Sequence, residues 1–183
     1  MDLLYAIAEA LFNFINSGPA LFTSALYLLP AGLPLILLHE LGHAVVAARR
    51  LGGDVEVTVG NAVRLAQFRL GHVNASLHAL QSPLGTVGSV SFDVSRARAK
   101  DVLWIAVAGP LASLIGFVGV LTAYSIAPGD GVLHDLLWAA VWASLYGVLN
   151  LIPFRLQELG QSSPQPSDGW LARDALRVIR DLR

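Results

Sequence analysis

Residues 21–48 read LFTSALYLLPAGLPLILLHELGHAVVAA, from Leu21 to Ala48, and this stretch decides the fold. As a helix rising 1.5 Å per residue, it is long enough to cross the roughly 30 Å hydrocarbon core of a bilayer. Near its end lie three ionisable side chains, His39, Glu40 and His43, in the order H-E-x-x-H. Residues four apart on a helix are separated by about 400° of rotation, so both imidazoles leave one face and can share a metal ion. Glu40 stands beside them as a general base. Near a bilayer centre each ionisable side chain costs about 2.5–3.5 kcal/mol on insertion scales. A bound metal offsets that cost, because it takes neutral imidazoles and gives the carboxylate a water to deprotonate.

The rest of the chain supports a membrane setting. Hydrophobic residues make up 55 % and charged residues 14 %, and the mean hydropathy is +0.60. Charge that sparse lies well outside the soluble range and predicts an integral membrane protein with no nucleic-acid partner. Apolar runs at 21–48, 102–126 and 136–154 predict three transmembrane helices in a single membrane-embedded domain. All 12 Lys and Arg fall in two segments, Arg49 to Lys100 and Arg155 to Arg183. The positive-inside rule makes both cytoplasmic, with the N-terminus and the loop from Pro128 to Asp135 outside. Three spans give the same alternation.

Asp2 to Asn16 is too short to span and predicts an interfacial helix, closed at residue 18 by Ser17-Gly18-Pro19. No basic region precedes Leu3, so these residues do not read as a cleaved signal peptide. Pro30 and Pro34 are expected to bend or loosen the first span. In segment 49–101, Val55, Val57 and Val59 alternate with Asp54, Glu56 and Thr58, and strand-like stretches follow at Ala62 to Leu70 and Thr86 to Val94. A small cytoplasmic β-containing segment is expected there, with an exposed edge able to hold an extended peptide. Gly109, Ala112, Ser113 and Gly116 form a small-residue face in the second span, which packing alone explains. His72, His78 and His134 are isolated and carry no assigned chemistry. Residues 155–183 form a cytoplasmic tail ending in a helical stretch from Trp170 to Leu182.

The chain has no cysteine, so a zinc site must use nitrogen and oxygen. Catalytic zinc takes three protein ligands and keeps one position open. Val46 and Arg49 rule out the extended H-E-x-x-H-x-x-G-x-x-H pattern. Glu56, Glu158 and Asp168 remain as candidates for the third ligand. Asp168 also suits a helix N-cap.

Three motifs together resemble the site-2 protease family of intramembrane zinc metalloproteases. They are His39-Glu40-Leu41-Gly42-His43, Ala108-Gly109-Pro110-Leu111-Ala112, and Asn150-Leu151-Ile152-Pro153 followed by Asp168-Gly169. The resemblance implies a three-helix catalytic core, Zn²⁺ as cofactor, Asp168 as third ligand and Asn150 near the substrate or the zinc-bound water. It also implies a membrane-anchored protein as substrate, and a regulatory membrane partner is compatible with it. At 1.5 Å per residue His43 and His39 lie about 9 and 15 Å inward from Arg49, so the cut is expected near the cytoplasmic end. Two features depart from the family pattern: Ser113 stands where Asn is usual, and the interval from Asn150 to Asp168 is longer. The intervening Phe154 to Ser167, with Gly160, Pro164 and Pro166, must loop out and return. Alternatives of other classes are a membrane zinc hydrolase acting on a non-peptide substrate and a noncatalytic zinc-binding scaffold or regulator.

Overall fold

The computed structural model describes residues 18–79, 88–156 and 165–182, with side chains of the first helix described from residue 31. The interfacial helix expected at Asp2 to Asn16 lies outside the described residues, as does Glu158. The molecule is mainly helical with a small sheet. Helix α1 covers Gly18–Leu51, α2 Ala99–Ile126 and α3 Val132–Leu149. Each contains a stretch long and apolar enough to cross a membrane: Ala31–Leu51, Ala99–Ile126 and Val132–Leu149. The three helices pack against one another.

Helix α1 runs unbroken through Pro30 and Pro34, so the prolines do not unwind it. Helix α3 stops at Leu149, short of the expected Phe154. Pro153 disfavours helical backbone at Ile152, and the chain turns at Asn150, whose N–H still bonds back to the Tyr146 carbonyl. At the start of α2, the buried Asp101 accepts from the Arg98 backbone and from the Arg98 and Arg50 guanidiniums. A buried carboxylate needs such partners, and Arg50 thereby ties the end of α1 to the start of α2. At the opposite end Tyr124 stacks on His134 and Trp138, joining α2 to α3.

Between α1 and α2 the chain forms β1 (Val55–Val59), β2 (Arg64–Leu70), β3 (Val73–His78) and β4 (Gly88–Ser91). The sheet order is β2-β3-β1-β4. Strand β1 runs parallel to β3 and antiparallel to β4, and β2 and β3 form an antiparallel hairpin with an irregularity at Leu65. Side chains alternate across a strand, so Val55, Val57 and Val59 all face inward. They pack with Val73 and Ala75 against Ala44 and Ala47 of α1 and Ile105 of α2. Burying each valine contributes about 1.5–3 kcal/mol, and the two alanines let the sheet close on the helix. The sheet therefore lies along the same half of α1 that carries the H-E-x-x-H motif.

After α3 the chain forms a two-strand ladder, β5 (Arg155–Leu156) with β6 (Gln165–Pro166), and then helix α4 (Asp168–Asp181). Helix α4 packs on α2, and its buried residues are Gly169, Ala172 and Ala175. The buried residues of α2 all lie between Asp101 and Ser113, the half nearest the sheet.

Candidate metal centre

Successive residues of α1 serve two neighbouring faces. His39 and His43 reach α2, whereas Glu40, Ala44 and Ala47 lie toward the sheet. Both histidines are buried, at 7 % exposure. His43 donates from Nδ1 to the Ile105 carbonyl at 2.6 Å. A carbonyl only accepts, so Nδ1 carries a proton and Nε2 faces the other way, its lone pair free for a metal when the ring is neutral. His39 Nδ1 is likewise engaged, 2.8 Å from Ser113 Oγ.

The two Nε2 atoms lie 3.1 Å apart. Asp168 Oδ2 is 3.0 Å from that of His39 and 3.3 Å from that of His43. Asn150 Nδ2 donates to this same oxygen at 2.6 Å. Burial works against charge on the Asp168 carboxyl, but the hydrogen bonds and charge of His39 and His43 outweigh it and hold the group down at about 2. Two imidazole nitrogens and a carboxylate oxygen therefore converge within about one bond length of a shared centre, an arrangement that a cation satisfies once the imidazoles are neutral. Tetrahedral zinc with bonds of about 2.0–2.1 Å holds its ligand atoms about 3.3–3.4 Å apart, close to the observed triangle. Nitrogen, nitrogen and oxygen donors also suit zinc chemically.

Among the described residues, His39, His43 and Asp168 form the one cluster of three able to hold a metal. Glu56 is brought nowhere near it: its side chain is exposed on β1, on the sheet face opposite Val55 and Val57. The N-cap of α4 is Ser167, not Asp168. That one-residue shift makes Asp168 the first helical residue. Glu40 lies against the backbone of Gly88, where β4 begins, and a Cβ there would collide with the Glu40 carboxylate.

Three contributors had no chemistry assigned from the sequence: Ser113, Gly109 and the Ile105 carbonyl. The face of Gly109, Ala112, Ser113 and Gly116 reads as packing, yet Ser113 is its one hydroxyl. Gly109 is needed for space, because a Cβ would overlap the His43 ring. Gly109→Ala is expected to displace that ring and weaken zinc binding by at least about tenfold, the lower end of what loss of a ligand's support costs. Competition against a chromophoric chelator measures this; unchanged affinity would show that His43 is not a ligand in this pose.

The sequence profile of peptidase family M50 matches residues 27–133, more than half of the chain. The chain belongs to peptidase family M50, the site-2 proteases. A comparison with curated proteins returns no match. The M50 match includes the H-E-x-x-H motif, the sheet and all of α2, hence Ile105, Gly109 and Ser113. It ends before Asn150 and Asp168, which join the M50 helices through the geometry just described.

Proposed function

We propose that this M50 chain is an intramembrane zinc metalloprotease that hydrolyses a peptide bond of a membrane-anchored protein near the cytoplasmic side. The reading rests chiefly on the meeting of His39, His43 and Asp168 from two separate helices, beside Glu40, in a chain of a peptidase family. Helices α1, α2 and α3 cross the bilayer, with the basic segments on the cytoplasmic side.

His39, His43 and Asp168 would hold the ion. When bound, zinc supplies a Lewis acid that polarises a carbonyl and acidifies water. Glu40 takes the proton of the attacking water and delivers it to the leaving amine. Ser113 and the Ile105 carbonyl fix the two imidazole planes. Asn150 spends an amide N–H on Asp168, which makes orienting that ligand its role.

Strand β4 is an edge of the sheet, and its first residue touches Glu40. An extended segment added along that edge presents its peptide bonds to the carboxylate, whereas helical peptide bonds are shielded from attack. The other edge, β2, is separated from β4 by β1 and β3.

The test is reconstitution of the purified chain in lipid with a single-span substrate protein. Cleavage is expected with zinc, lost on chelation and restored by zinc at stoichiometric concentration. Cleavage that survives complete chelation would refute the mechanism.

A further inference from the structure

We infer that Ser167 is a positioning residue for the third metal ligand, the device by which this chain returns Asp168 to the site after its long departure from Asn150. The inference rests on the reading of Asp168 as a ligand. The Ser167 hydroxyl is buried, at 4 % residue exposure. It donates to the Ile152 carbonyl at 2.8 Å and accepts from the Phe154 N–H at 3.0 Å and the Trp170 N–H at 3.2 Å. A hydroxyl has one donor and two acceptor sites, so this one is saturated.

Its partners lie on both sides of the excursion. Ile152 and Phe154 belong to the outgoing chain, Trp170 to the first turn of α4. The backbone adds to the clasp: Ser167 N–H donates to the Phe154 carbonyl at 3.0 Å, and Gly169 N–H to the Asn150 carbonyl at 3.0 Å. Asp168 is thus pinned by its two sequence neighbours to the end of α3, and Gly169 passes so near the Leu151 carbonyl that a Cβ would not fit. Trp170, one residue further on, carries the guanidiniums of Arg155 and Arg173 on its ring, at 4.2 and 3.8 Å from its centroid. Removing the hydroxyl takes this partner from two part-buried N–H groups and a carbonyl, leaves only the backbone bonds of the clasp, and loosens it one residue from Oδ2.

The experiment uses the full chain, purified, with zinc affinity and the visible absorption of the Co²⁺-loaded protein as readouts. Ser167→Ala is expected to weaken zinc by about 10–100-fold, as loss of an outer-shell partner does, and to shift the cobalt bands. Ser167→Thr, which keeps all three hydrogen bonds, restores both. Ser167→Gly, tolerated at a helix N-cap, replaces the alanine variant if that does not fold. Because Ser167 acts through Asp168, its effect vanishes in an Asp168→Ala background. An equal effect in both backgrounds, or wild-type affinity in Ser167→Ala while Asp168→Ala binds weakly, overturns the inference and leaves the zinc reading standing. Wild-type affinity in Asp168→Ala overturns the ligand assignment itself.

Discussion

Glu40→Gln is expected to bind zinc as the wild type does and to cleave about 10²–10⁴ times more slowly, the usual contribution of a positioned general base. The substitution is nearly isosteric, so the contact with Gly88 survives. His39, His43 and Asp168 keep their partners, none of which is Glu40. What disappears is a carboxylate that can accept a proton beside the metal. Zinc stoichiometry and single-turnover cleavage in the same reconstituted sample separate the two effects. Equal cleavage by both proteins would remove Glu40 from the mechanism and with it the protease reading in its present form.

Asp168→Ala carries the second large effect. With Asp168 as the proposed third ligand, the substitution removes more than a ligand's support, so zinc affinity should fall by more than the 10–100-fold typical of outer-shell losses, and cleavage with it. Glu56→Ala and Glu158→Ala serve as comparisons and should bind zinc normally. The metal-free chain offers a second signature. The Asp168 carboxyl lies at about 2 instead of 3.8, so its ionised form contributes stability that is present above the ordinary carboxylate range and declines as pH falls toward 2. Asp168→Asn lacks that dependence. Normal zinc binding by Asp168→Ala, with loss in Glu56→Ala or Glu158→Ala, would move the third ligand elsewhere.

Much of the helical frame was legible because composition alone sets it. Runs at 21–48, 102–126 and 136–154 lie within or overlap helices α1, α2 and α3. The ends were not legible, since they depend on local events such as the turn ahead of Pro153. Strand β3 escaped notice although Val73, Ala75 and Leu77 alternate with Asn74, Ser76 and His78. Asn favours turns and depresses strand propensity, whereas pairing with β1 and β2 on both sides overrides it. At the site, His39, Glu40 and His43 could be read from helical spacing. Ser113 could not be given a role, because a lone hydroxyl on a small-residue face has the same spacing whether or not an imidazole faces it. Ile105 contributes through its backbone, which no side-chain pattern encodes. The N-cap was misplaced by one residue because Ser167 and Asp168 are both good caps. Only the return of the chain shows which of the two is left to face the histidines.

The ladder of Arg155–Leu156 with Gln165–Pro166 also separates chain length from site geometry. Every hydrogen bond that fixes Asp168 is made by residues up to Phe154 or from Ser167 onward, on the site's side of the ladder. Beyond the ladder, each doubling of loop length costs only about 0.6 kcal/mol of closure entropy. The interval from Asn150 to Asp168 can therefore drift in length among relatives without moving the Asp168 carboxylate.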